Sequence, residues 1–280
     1  MPTRWLQHAV YGRNDAGTLS MLGSNVLGGI TLRAGAHPRR YDDSLGAQLE
    51  LNMKEGSREA AEWHGTVGGT STALVGEGPI GAAGRGSWIG GVRNSFRSWP
   101  MKRLSENDVG FAFADAHAKL VYDVMPTQQL SVTAIGGRST LETVDEPLVG
   151  PLADGTNHAA LLTVGWRSIL GSHTIIRQRA FVVGHAFSTT QQTGGLAGSS
   201  SNRLLGYRSE ALRSVFGGLL EAGADVARVS GTRNAGATDA AHRRDWFGAT
   251  WTTRSAYVNF AHAAPGGVSF ESGMRASDST

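Results

Sequence analysis

Cysteine is absent from the 280 residues, so disulfide bridges and thiolate metal sites are excluded. No apolar run approaches the roughly 18 residues that a membrane-crossing helix needs, and Met1 is not followed by the basic and apolar segments of an export signal. Charge is sparse and nearly balanced: 26 basic against 23 acidic residues leave a formal net charge of +3, too even for a nucleic-acid partner. Catalytic signatures are missing as well. No G-x-S-x-G elbow or P-loop lysine occurs, nor any H-E-x-x-H, and the nine histidines are scattered with no pair at ligand spacing on one expected face. Neither an enzyme, a resident cofactor nor a metal centre is expected. Gly76-Glu77-Gly78-Pro79-Ile80-Gly81 fits the dinucleotide pattern, but Pro79 removes a donor and the following Gly81, Gly84 and Gly86 oppose the helix that such a site requires. It reads as a turn.

What is abundant is glycine, 39 of 280 residues, about twice ordinary usage, which points to an all-β chain with many bends. Strand-like runs are expected at Glu62 to Gly68, Ser71 to Pro79, Ser87 to Ser98, Phe111 to Val124, Gln129 to Leu141, Ala159 to Leu170, Thr174 to Thr189, Arg203 to Phe216, Leu219 to Ser230, Asp245 to His262 and Val268 to Ala276. Several exceed the five or six residues usual in soluble strands and suit the nine to eleven of a tilted membrane-crossing strand.

Their connections alternate in length. Short links fall at Gly81 to Gly86, Met125 to Gln128, Gly171 to His173, Gly217-Gly218 and Ala263 to Gly267; long polar ones at Trp99 to Gly110, Glu142 to His158, Thr190 to Asn202 and Gly231 to Arg244. Two unlike ends are a property of outer-membrane barrels, which have short periplasmic turns and longer extracellular loops.

Period-two alternation supports this reading. Ala116, Ala118, Leu120 and Tyr122 oppose His117, Lys119, Val121 and Asp123; Leu220, Ala222, Ala224 and Val226 oppose Glu221 and Asp225; Trp88, Gly90, Val92 and Phe96 oppose Arg93, Ser95 and Arg97. The apolar sets suit lipid and the charged sets a wide polar lumen. Arg93, Arg97, Lys119, Arg177, Arg179, Arg213, Glu221 and Asp225 are the candidate lumen-facing residues. Aromatics near run ends, such as Trp63, Trp88, Trp99, Phe111, Tyr122, Trp166, Tyr207, Phe216 and Trp246, suit interfacial girdles. The first 55 residues differ, with a Gly-Gly-Ile-Thr-Leu-Arg run from Gly28, a turn at Ala36-His37-Pro38 and a second strand over Gln48 to Glu55.

Four stretches in order resemble TonB-dependent outer-membrane receptors. Leu32 to Ala47, with Gly35, Pro38, Tyr41 and Gly46, resembles the last plug strands, although Asp42 and Ala47 stand where glycine is common. Glu77-Gly78-Pro79-Ile80-Gly81 with Gly86-Ser87-Trp88 and Arg93-Asn94-Ser95-Phe96 resembles the first periplasmic hairpin. Asp115-Ala116-His117-Ala118-Lys119-Leu120 is similar to the next downward strand, and Ala256-Tyr257-Val258-Asn259 with Glu271-Ser272-Gly273-Met274-Arg275 to a mid-barrel hairpin.

The resemblance implies an all-β fold: an antiparallel transmembrane β-barrel, about 11 of about 22 strands, preceded by the C-terminal part of a plug. Residues 1–58 would be the plug part and 59–280 the N-terminal half of the barrel. It implies uptake of a scarce large solute (siderophore, cobalamin, peptide or oligosaccharide) by energised plug movement. Partners would be outer-membrane lipid, a small or medium solute and the TonB complex, whose binding box and the export signal lie outside this chain. The alternatives from the residues are a surface-exposed or soluble β-rich glycan-binding adhesin, and a passive porin.

Overall fold

The computed structural model describes residues 7–8, 19–34, 47–96, 109–143, 152–191, 196–235, 245–263 and 268–280. Two small sheets come first: β1 (Gln7–His8) with β2 (Leu19–Ser20), and β3 (Leu27–Ala34) with β4 (Ala47–Met53). Then follow β5 (Glu62–Val67), β6 (Ser71–Ile80), β7 (Gly86–Ser95), β8 (Val109–Met125), β9 (Gln128–Thr143), β10 (Leu152–Leu170), β11 (Thr174–Gln191), β12 (Leu196–Val215), β13 (Gly218–Ala235), β14 (Asp245–Ala263) and β15 (Ser269–Ser279). These eleven strands form one antiparallel sheet in chain order, from β5 at one edge to β15 at the other. The fold class is the expected one, an eleven-stranded part of an antiparallel barrel. The meander follows from the turns: a two-residue or three-residue link returns the chain only onto its neighbour.

The N-terminal segment rests against one face of the sheet, called here the inner face. Met21, Leu22 and Val26 are buried against Val75, Ile89, Ile135, Leu161, Val183 and Leu204. This apolar belt lies where the alternation alone led to the expectation of polar residues lining a wide lumen. Where a wall meets a plug segment instead of water, burial of methyl-bearing side chains stabilises the contact by about 25 cal/mol per Å².

At the turns, local chemistry explains the geometry. Phe216 (φ 49°) and Gly217 (φ 71°) link Val215 to Gly218, the double positive φ of a type I′ hairpin, whose twist matches paired strands. Pro126 fixes φ near −65° in the link after Met125, a turn that splays strands. The ladder absorbs it as a register shift between Asp123 and Met125.

Strands are longer than the alternation suggests. β10 begins at Leu152, β12 at Leu196, and β13 continues to Ala235. Pairs such as Asp154 with Glu142, Thr190 with Leu196 and Gly198 with Ala235 place much of three expected loops within the ladder. Residues rich in Ser, Gly, Thr and Asn lack an apolar face, so they show no alternation, yet their backbone groups still require partners. Residues 97–108, 144–151, 192–195, 236–244 and 264–267, which hold the rest of those links, lie outside the described residues. So do 35–46, on which the expected turn at Ala36-His37-Pro38 falls. Gly76-Glu77-Gly78 is not a turn but lies within β6. A Cβ on Gly76 would lie 2.5 Å from the Trp63 ring, and one on Gly78 3.2 Å from the Trp88 indole nitrogen. The two glycines make room for indoles that meet edge to face, 5.9 Å apart.

Candidate functional site

Register divides the inner face into transverse rows. One runs Asp123, Gln129, Arg167, Arg177, Glu210, Gly223, Tyr257, Arg275, and the next Val121, Ser131, Gly165, Arg179, Arg208, Asp225, Ser255, Ser277. Two rows further from the short turns comes a mainly apolar one: Val75, Gly91, His117, Ile135, Leu161, Val183, Leu204, Val229, Trp251. Charge is therefore concentrated near the short-turn end, and the N-terminal segment seats on the apolar row.

Polar contacts fix that seating. Arg93 donates to Asp115 at 2.6 Å and to the Ser20 carbonyl at 2.6 Å, with the Asp115 side chain fully buried. Lys119 Nζ donates to the Met53 carbonyl at 2.9 Å, the Ser87 hydroxyl to the Glu55 carbonyl at 2.5 Å, and Asn25 to Thr66 at 3.2 Å. Below β4, Arg58 pairs with Asp123 at 2.5 Å, a hydrogen bond that holds the guanidinium above its ordinary pKa. Gly56 (φ +83°) passes so close to β7 that a Cβ there would lie 2.3 Å from the Trp88 carbonyl oxygen.

Of the eight candidate residues, Arg93, Lys119, Arg177, Arg179, Glu221 and Asp225 occupy inner-face register positions. Asp225 accepts from Arg275 at 3.2 Å and lies 3.6 Å from Arg208; Glu221 accepts from the Tyr257 hydroxyl at 3.0 Å. Arg213 differs. It pairs with Thr174 and Leu220 on the opposite face, two residues from the end of β12, where a long cationic side chain reaches the membrane surface. Arg97 lies outside the described residues.

The structure adds residues that alternation could not supply. Ser24, Asn25, Thr66, Ser71, Arg93 and His117, together with Ala73 and Val75, line a cavity of about 170 Å³ beside the N-terminal segment. His117 is buried, and neither ring nitrogen has a hydrogen-bond partner among the described residues. A second cavity, about 250 Å³, lies between Glu55, Arg167, Arg177, Arg179, Arg208 and Glu210. Glu62, His64 and Glu77 bring one ligand atom each within 4.8 Å of one another. They escape a linear search because Glu77 arrives from the neighbouring strand, directly opposite Glu62.

The outer face carries a different pattern. From the short turns upward its positions are mostly apolar, and the run ends at a basic residue on five strands: Arg138, His158, Arg203, Arg228 and Arg254, all exposed. From these residues to the strand's turn end is nine to twelve residues on β9, β10, β12, β13 and β14, against the nine to eleven of a membrane-crossing strand. Relative to the register row of Arg138 and His158, Arg203, Arg228 and Arg254 sit two, four and six residues closer to the turns. Six residues over five strand steps, at about 3.3 Å per residue and 4.8 Å between strands, make this boundary level if the strands tilt by about 40°. The turns step down in parallel, by two residues from Met125–Gln128 to Leu170–Thr174 and two more to Val215–Gly218, which requires about 35°. Both values fall within or at the edge of the 35–45° of outer-membrane barrels. An apolar band nine to twelve residues high is thus marked on these five strands of the outer face.

No family model matches the chain, and no curated protein matches its sequence. Solved structures do match. The ferric enterobactin receptor PfeA of Pseudomonas aeruginosa, as the G324V mutant, aligns with 100% of this chain and 48% of its own, at 13% identity and a TM-score of 0.71. The copper transporter OprC aligns with 89% of this chain and 42% of its own, at 11% and 0.67. The outer-membrane transporter YddB of Escherichia coli aligns with 99% and 47%, at 10% and 0.66. The chain therefore spans a little under half the length of the structures it matches.

Proposed function

We propose, for a chain whose fold is that of the TonB-dependent outer-membrane receptors, that it forms the end of the plug (residues 1–58) and the first half of the barrel wall (59–280) of an energised importer in the outer membrane. The observation that carries this reading is the seating of the N-terminal segment. A short apolar contact around Met21 and Val26, flanked by Arg93–Asp115, Lys119–Met53 and Asn25–Thr66, holds a removable body against a wall. A cavity beside that contact, and a second between Glu55 and the Arg-rich rows, leave space along the wall. A passive porin gives no reason for the buried Arg93–Asp115 pair reaching Ser20. A soluble adhesin gives none for a tilted apolar band on the outside.

Two matched structures are named as a ferric enterobactin receptor and a copper transporter, which supports a metal or metal chelate as the solute. The Arg-rich rows would meet the acidic groups of such a solute or of the plug.

The absence of cysteine makes a clean test possible. With Asn25→Cys and Thr66→Cys introduced into the receptor in cells, oxidation should tie the plug segment to β5. Accumulation of a radiolabelled ferric siderophore or cobalamin should then stop, and resume on reduction. An uncoupler should stop it without the crosslink. Accumulation indifferent to both treatments would identify a passive channel instead.

A further inference from the structure

The outer face holds a depression of about 1180 Å³ within the apolar band. Trp63, Trp88, Leu74 and Val92 form one wall and Leu162 and Val182 the other; Ala116, Ala118, Ala134, Gly136 and Ala160 leave the floor low between them. At its upper rim stand His158 and Arg203, which belong to the stepped basic series of Arg138, His158, Arg203 and Arg228 described above. Arg138 lies directly opposite His158 across the β9–β10 ladder.

From this juxtaposition we infer that the depression binds a phosphate-bearing membrane lipid, with acyl chains on the Ala and Gly floor and the phosphate on Arg203, Arg138 and His158. The inference rests on the outer face lying in lipid, as the barrel reading requires, and goes beyond it by naming a specific occupant.

Charge complementarity selects that occupant. Among the strand residues of this face whose side chains are described, the acidic ones are Asp154, two register rows above His158, and Asp278, opposite Arg254. Among the described side chains, the rim nearest the depression is therefore cationic, with Asp154 two register rows away from it. A guanidinium at the boundary of an apolar band offers paired N–H donors to phosphate oxygens, while a zwitterionic headgroup brings its own cation to the same place and is attracted less. The low floor adds selectivity for chain contact, because Ala and Gly let acyl chains approach the sheet while the indoles of Trp63 and Trp88 pack along their length.

The two tryptophans also report occupancy. The full receptor, folded in phosphatidylcholine vesicles, is supplied with phosphatidylglycerol brominated on its chains, or with phosphatidylcholine brominated in the same way at the same mole fraction. Quenching is assigned to the depression by subtracting the signal of a Trp63→Phe, Trp88→Phe variant. The expected result is stronger quenching by the anionic lipid, falling about fivefold in apparent affinity with Arg203→Gln, as one surface guanidinium warrants. Arg138→Gln should act in the same direction, and neither exposed substitution should alter heat-modifiable migration. Equal quenching by the two lipids overturns the specific site while leaving the barrel in the membrane. Quenching by neither removes both, since the outer face would then not be in contact with lipid.

Discussion

The two faces of the sheet share every backbone hydrogen bond yet answer to different surroundings. The outer face meets one solvent, and its pattern is simple: mostly apolar from the short turns upward, ending at a basic residue on five strands. The inner face meets a folded segment, and its pattern changes row by row, with charges near the turns, methyl groups where Met21 and Val26 press, and an ion pair at Arg93–Asp115 whose carboxylate is fully buried. A sheet wall with a continuous solvent can be read from periodicity, whereas one that faces a plug carries the imprint of that plug.

The largest effect should come from the inner face. Asp115→Ala strands the Arg93 guanidinium, only 18% exposed, and should cost about 3–5 kcal/mol of stability in urea unfolding from lipid vesicles. A loss below about 1 kcal/mol would mean that the pair is an exposed lumenal contact. On the outer face, Leu162→Arg, in the middle of the apolar band, should cost about 2–4 kcal/mol, while Thr156→Arg, one register row beyond His158, should cost about 0–1 kcal/mol. Equal losses at the two positions would erase the band. Gly206 is bare because Phe181 lies across it; a Cβ there would be 2.3 Å from the ring. Gly206→Val should cost about 1–3 kcal/mol and raise the proteolytic sensitivity of β12. The smallest change belongs to a turn that neither face governs. Phe216, 93% exposed, holds a positive φ that asparagine tolerates better, so Phe216→Asn should stabilise by about 1 kcal/mol in the same assay.

The sequence made the outer face legible and the inner one only partly so. Leu220, Ala222, Ala224 and Val226 announce a lipid-facing set because each is apolar and every second position is polar or small. Lys119 and Asp225 follow as their opposites. Arg213 breaks the rule because near a strand end a cation is tolerated on the lipid side, so charge alone misassigns its face. The upper parts of β10, β12 and β13 are illegible for another reason. Beyond the basic boundary both faces are polar, and Ser199, Ser200 and Ser201 look like a loop although each is paired on both sides. The His117 cavity and the Glu62–His64–Glu77 group depend on contacts between distant segments, which no linear period encodes.

The central claim is that one face of each strand lies in lipid for about ten residues and the other face does not. Single nitroxide labels placed from Thr156 to Leu170 along β10, with the chain in bilayers, test it through oxygen and water-soluble relaxant accessibility. The account predicts that labels at 160, 162, 164, 166 and 168 collide with oxygen, that those at 156 and 158 collide with the aqueous relaxant, and that the odd positions collide with less oxygen than their even neighbours. Aqueous accessibility at 162 and 164, or no alternation along β10, would contradict it.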